Sequence, residues 1–223
     1  MRKSILFVAV AVFAMVFSGC KEEAVEITFS SNDIILPLGS SSNDLAKFAT
    51  ASDGSTVTVS GVDFGMIGEQ TATFAVGDVK ETKIVKISAT PLAGEYRIHI
   101  LDSAATTELT NGNGWIMTLT PGAEYNQIDI PSTVGQNKIF TDVDKLTVTF
   151  NGSSVKIPNY TGKFAFIQSQ DDFTIKFQNI TYGTKDDGTY ALKGFTLKIT
   201  REGYNDFYEQ VRFDKLSEWD EEE

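Results

Sequence analysis

The stretch whose reading decides the fold is Phe173-Thr174-Ile175-Lys176-Phe177-Gln178-Asn179-Ile180-Thr181-Tyr182, then Gly183-Thr184-Lys185-Asp186-Asp187-Gly188-Thr189, then Tyr190-Ala191-Leu192-Lys193-Gly194-Phe195-Thr196-Leu197-Lys198-Ile199. Two runs rich in aromatic and β-branched residues alternate with polar ones and flank a loop of turn formers, the pattern of an antiparallel hairpin with a buried face. Pairing Tyr182 with Tyr190 aligns Ile180 with Leu192, Phe177 with Phe195, Ile175 with Leu197 and Phe173 with Ile199. Every apolar residue then meets another. Both strands change phase at the level where Gln178 stands opposite Gly194. A glycine there predicts a bulge or sharp coil that bends the hairpin around a corner.

The same period of two continues on both sides. Downstream, Arg201-Glu202-Gly203 predicts a turn into a strand carrying Phe207, Val211 and Phe213 on one face, and residues 217–223 read as an acidic, solvated tail. Upstream, Asn151-Gly152 predicts a type I′ hairpin that pairs Val148 with Val155 and Leu146 with Ile157. Gly94-Glu95-Tyr96 opens a strand with Tyr96, Ile98 and Ile100 inward, and Trp115 shares parity with Met117 and Leu119 as a cap on the core. From Val25 to Thr90, short alternating runs such as Val25-Ile27-Phe29, Val57-Val59 and Ala72-Phe74-Val76 predict about six strands. No helical period appears beyond the first twenty residues. The expected fold is therefore all-β: an N-terminal Ig-like β-sandwich over 25–90, then a larger antiparallel β-sandwich or barrel-like domain over 92–216. A sandwich of roughly 65 residues is marginal alone, and the join Ala89-Thr90-Pro91-Leu92 is too short to be flexible, so the two regions are expected to pack together.

Composition excludes several chemistries. The 223 residues carry one Cys and one His, too few for a disulfide framework or a tetrahedral zinc site. Lys and Arg total 19 against 30 Asp and Glu, a net charge of −11 with no basic block, which argues against nucleic acid as a partner. The single histidine, His99, alternates with Ile98 and Ile100 and is expected on the solvent face, so no nucleophile–histidine pair is legible. Thirty acidic residues leave the carboxylate spacing uninformative about glycoside hydrolysis. Asp171-Asp172 and Asp186-Asp187-Gly188 lack the alternating spacing of a calcium loop and read as turns. No cofactor, no metal and no catalytic residue is expected.

The N-terminus supplies an address. Arg2 and Lys3 precede an apolar run, Ile5 to Phe17, that is 13 residues long, short of the roughly 20 that span a bilayer. Ser18-Gly19 then offers a small-residue cleavage site before Cys20. Phe17-Ser18-Gly19-Cys20 resembles the bacterial lipobox, with Phe17 where Leu is usual. That resemblance implies a signal peptide over 1–19, a diacylglycerol on Cys20 and a tether over 20–24. Lys21-Glu22-Glu23 is similar to the acidic export signal of Bacteroides surface lipoproteins, and Val62 to Phe74 resembles the Ig-like repeats near their lipidated N-termini. The whole plan resembles such cell-surface lipoproteins and, more distantly, the glycan-binding accessory lipoproteins of starch-utilisation systems.

What the resemblance implies is a non-catalytic outer-membrane lipoprotein that binds extracellular polysaccharide. The alternative is a structural or adhesive surface protein that contacts a neighbouring outer-membrane protein. Exposed aromatic faces gather the C–H faces of sugar rings, with carboxylates as hydroxyl partners. On that basis the expected ligand-binding residues are Tyr160 in the Pro158–Gly162 loop, Tyr182 and Tyr190 at the hairpin tip with Asp186 and Asp187, and outward-facing Tyr125.

Loss of residues 1–19 takes two positive charges from −11 and leaves −13, a surface repelled by anionic headgroups. Attachment must then depend on the acyl chains at Cys20. Cys20→Ser is expected to move the protein from the membrane fraction to the soluble one on fractionation. Retention of the Ser variant with the outer membrane would contradict this.

Overall fold

The computed structural model describes residues 24–109, 114–134, 137–163 and 172–216; residues 1–23 with Cys20, Asp171 and residues 217–223 lie outside them. The chain is nearly all β, as the alternation requires. Its first region holds β1 (Ile27–Phe29), β2 (Ile34–Pro37), a five-residue helix α1 (Ser42–Ala46), β3 (Ala49–Ala51), β4 (Thr58–Ser60), β5 (Gly68–Val76) and β6 (Val79–Ser88). Strands β2, β6, β5 and β4 make one sheet in that order, β2 running parallel to β6, and β1 pairs with β3 in the other layer. Phe29 meets Phe74 edge to face across the layers, with ring centres 4.9 Å apart. The helix was not foreseen by periodicity because it is too short to show one. Its mark is Ser41-Ser42-Asn43-Asp44, a capping box in which the Ser41 hydroxyl accepts from the Asp44 amide and the Asp44 carboxylate accepts from the Ser41 amide.

A 3₁₀ turn, Thr90–Leu92, leads into the second region: β7 (Gly94–Leu101), β8 (Trp115–Pro121), β9 (Gln127–Pro131), β10 (Thr133–Val134), β11 (Asn137–Lys138), β12 (Lys145–Asn151), β13 (Ser154–Lys156), β14 (Tyr160–Gly162), β15 (Phe173–Thr184), β16 (Tyr190–Thr200) and β17 (Phe207–Lys215). Nine of these form an antiparallel sheet ordered β13-β12-β9-β8-β7-β17-β16-β15-β14. The sheet curls into a half-barrel, and β13 at one edge comes back into contact with β15 beside the other. Its concave face is lined by Ile98, Ile100, Met117, Phe195, Val211 and Phe213, which enclose an apolar cavity of about 40 Å³.

The bend sits where the phase change placed it. Opposite Gly194, the register shifts twice: Gln178 faces Thr196, Thr181 faces Gly194, and Tyr182 faces Leu192. Asn179 and Ile180 on β15 thus stand against Phe195 alone, one residue in excess, and Lys193 is one in excess on β16, so the two bulges cancel and the ladder resumes. Asn179 takes positive φ (51°), and a Cβ at Gly194 would stand 2.2 Å from the Val211 carbonyl oxygen, a contact only glycine permits.

Both hairpins differ from the expected register by two residues. Tyr190 pairs with Thr184, not Tyr182, because the loop is tighter: the Lys185 amide donates to the Thr189 carbonyl at 2.7 Å, and the Asp187 carboxylate accepts from the Thr189 amide at 2.8 Å. Likewise Asn151 pairs with Ser154 and Phe150 with Val155, which makes Gly152-Ser153 the turn. Gly152 alone takes positive φ (59°), the requirement of a type II′ turn and not type I′. A two-residue slip keeps each side chain on its face, so the buried pattern survives it.

The two regions are docked and share one hydrophobic core. The Gly152 amide donates to the Ile67 carbonyl at 2.9 Å, the Ala89 amide donates to the Tyr125 carbonyl at 2.8 Å, and the Ile67 amide donates to the Tyr182 hydroxyl at 3.3 Å. Tyr96 is fully buried at the join: its hydroxyl donates to the Leu92 carbonyl at 2.7 Å and accepts from the Leu192 amide at 3.1 Å. Burial pushes that phenol up to about 12.

Candidate functional site

The expected aromatic platform is not a solvent surface. Tyr160 is buried at 3% exposure in β14, not in a loop; its hydroxyl donates to the Lys163 carbonyl at 2.8 Å and accepts from the Thr141 amide at 3.1 Å, and its ring packs on Phe140. Tyr182 is half-buried, edge-on to Phe150 with its hydroxyl on Ile67. Tyr190 lies against the first region: a Cβ at Gly39 would stand 2.7 Å from its ring and one at Gly65 would stand 3.4 Å from its hydroxyl oxygen. Tyr125 is half-buried at the same junction, with Lys86 Nζ 5.5 Å from its ring centre, and burial and then Glu69 raise its phenol above the ordinary value. Tyr182, Tyr190 and Tyr125 therefore share a role in docking. Strand parity places a side chain on one face of a sheet, and here the first region covers that face.

The hairpin-tip carboxylates stay exposed. Asp187 is spent on its own turn: the Thr189 hydroxyl, the Thr189 amide and then Lys185 hold its carboxyl down to about 2. Asp186 stands beside it in solvent. His99, expected on the surface, is buried at 6% exposure, its ring held between the side chains of Glu108 and Asp214. Its Nδ1 lies 2.6 Å from Glu108 Oε1 and its Nε2 3.3 Å from Asp214 Oδ2, so both ring nitrogens are engaged with carboxylates.

Solvent-facing aromatic rings are instead gathered elsewhere. Among the described residues, the exposed ones are Tyr204 (64%), Tyr208 (42%) and Phe207 (37%), all within the β16–β17 connection and the first two residues of β17. The turn that carries them is closed by the Tyr204 amide donating to the Arg201 carbonyl at 3.1 Å. The Arg201 guanidinium lies over the Tyr204 ring at 4.2 Å, and Lys198, paired with Tyr208 across the ladder, lies 6.0 Å from its ring. Asp206 accepts from Lys198 Nζ at 2.6 Å and from the Thr200 hydroxyl at 2.8 Å, and these bonds keep its carboxyl below the ordinary value. Two aromatic faces, Tyr204 and Tyr208, thus stand beside an ionised acceptor and two cationic donors, while Phe207, next to Tyr208 in the strand, turns to the other face of the sheet. The sequence signal for this edge was the adjacent pair Phe207-Tyr208, which breaks the alternation of β17.

Beneath the edge, Glu209 points inward from β17 opposite Leu197. Its Oε2 is buried without a hydrogen-bond partner among the described residues, and burial raises its carboxyl above the ordinary value. Comparison of the chain with protein-family models, with curated proteins and with solved structures finds no match.

A raised folded-state value has a definite linkage sign. With Glu209 protonated in both states at low pH, no pH term arises. As pH climbs from the unfolded value toward the folded one, the unfolded chain releases its proton first, and stability falls. Glu209→Gln is therefore expected to raise the melting temperature by more at pH 7 than at pH 4. The same change at both pH values would contradict the assignment.

Proposed function

We propose that this chain is a non-catalytic, lipid-anchored outer-membrane protein that holds extracellular polysaccharide on the Tyr204–Tyr208 edge. The observation that carries the reading is the gathering of exposed aromatic side chains at one turn, with Asp206, Lys198 and Arg201 beside them. Sugar rings offer apolar C–H faces and a rim of hydroxyls, so a ligand of this kind needs stacking surfaces and charged hydrogen-bond partners together.

The position of the edge supports the same reading. Strand β16 begins at the docked tip, Tyr190, and ends at Thr200 beside the edge. At about 3.3 Å per residue its eleven residues carry the edge roughly 33 Å from the first region. A chain tethered through Cys20 holds such a surface away from the membrane. Each aromatic stack contributes on the order of 1 kcal/mol, so one edge binds weakly and gains from many displayed copies.

Tyr204→Ala combined with Tyr208→Ala removes two exposed stacks and leaves the core untouched. The double variant is expected to keep the wild-type melting temperature and to lose at least about tenfold in affinity, seen as loss of retardation in affinity gels cast with neutral and acidic polysaccharides. Equal retardation of both proteins, or none for wild type across the panel, would overturn the reading.

A further inference from the structure

The registered pairs of β16 and β17 end at Gly194 and Arg212, although β16 begins at Tyr190 and β17 runs on to Lys215. The Lys193 bulge starts this divergence, and the close approach of Gly194 to Val211 marks the last point where the strands meet. Between the splayed ends lies a wedge-shaped pocket of about 330 Å³. That volume falls within the range of about 300–1,000 Å³ common for ligand sites.

Its charged lining is one-sided: Lys185, Lys193, Arg212 and Lys215 against the single carboxylate of Asp214. In a chain of net charge −11 this is an unusual concentration of cations. Few of their donors are used internally. Lys215 Nζ donates to the Pro91 carbonyl at 2.6 Å and the Tyr190 carbonyl at 3.3 Å, which leaves one of its three protons. Lys185 Nζ donates to the Lys215 carbonyl at 3.0 Å and lies 3.4 Å from Asp187. Arg212 engages Asp214 through Nε at 3.2 Å, and its terminal N–H groups meet no acceptor among the described residues. Lys193 is exposed and makes no ion pair among the described residues. Asp214 is itself shared with His99. The Lys215 ammonium is lowered from its ordinary value, first by burial and then by Lys185, with Asp187 opposing.

We propose that this wedge is an oxyanion site that takes a carboxylate or sulfate group of an acidic saccharide. A compact oxyanion fits the pocket and answers the spare donors of Lys193, Lys215 and Arg212 with charge-assisted hydrogen bonds. For its saccharide class the inference rests on the polysaccharide reading of the aromatic edge; for its charge it rests on the wedge alone.

The test compares oligogalacturonate, dextran sulfate, neutral dextran and inorganic sulfate by titration against the protein carrying Cys20→Ser. At low ionic strength, at least one acidic saccharide is expected to bind more tightly than neutral dextran, and the preference is expected to shrink as salt rises. Lys193→Gln with Arg212→Gln should weaken acidic binding by at least about tenfold and leave neutral dextran unchanged. Lys193→Gln alone, at an exposed side chain, keeps the fold and should give a smaller loss in the same direction. Acidic binding no tighter than neutral, or unmoved by the Lys193 variants, overturns the wedge. The edge reading then stands or falls on the tyrosine variants alone. Amide shifts at Lys193 and Gly194 with inorganic sulfate but with neither acidic polymer would overturn the saccharide class.

Discussion

The hydroxyl of Tyr96 ties the join between the regions to the start of β16, 96 residues further along the chain. It donates to Leu92 at the end of the join and accepts from Leu192 near the start of β16, while its ring stays fully buried. A buried phenol without those partners would cost about 1–3 kcal/mol, so its burial and its two bonds stand together. Because Leu192 lies two residues from the hairpin tip, fixing it aims the tip at the first region. Tyr190 then lies against Gly39 and Gly65, and Tyr182 reaches the Ile67 amide. The apolar core that results runs through both regions without a break.

Function follows from what that docking uses and what it leaves. Tyrosines near the tip are consumed in joining the regions, so their faces are closed to a ligand. At the opposite end of β16, Tyr204, Phe207 and Tyr208 are the exposed aromatics among the described residues. The same bulges that bend β15 and β16 toward the first region also part β16 from β17 beyond Gly194, which opens the cationic wedge. The paired bulges of β15 and β16 thus account for the bend and the pocket, and proximity to the docked tip for the crowding of Lys185 and Lys215.

Much of the fold was legible because a period of two is a physical requirement of a sheet with one buried face. The all-β class, the strands around Phe173 and Leu197, and the bend at Gly194 follow from it. Register was harder for the same reason: a shift of two residues preserves every face, and only turn chemistry separates the choices. At Asp187-Gly188-Thr189 the carboxylate builds the turn inside the loop, and at Gly152 one positive φ moves the turn forward by one residue. The site was less legible. Parity says which face of a strand a side chain occupies, but not what covers that face from elsewhere. Tyr182, Tyr190 and His99 were misplaced on that account, the two tyrosines being covered by the first region and His99 engaged by Glu108 and Asp214, while Tyr160, expected in a loop, lies in β14 against Phe140. The edge at Tyr204 was open to inspection in the sequence, yet its exposure depends on the absence of a neighbour among the described residues, which no local pattern encodes.

The central claim is that both regions form one cooperative unit held by the docked hairpin. Native-state hydrogen exchange of three amides tests it most directly: Ile67, which donates to Tyr182; Gly152, which donates to Ile67; and Leu192, which donates to Tyr96. A single unit predicts that all three exchange with the same free energy, equal to that of global unfolding. Exchange of Ile67 and Gly152 at a markedly lower free energy than Leu192 would mean that the first region undocks on its own, and would contradict the account.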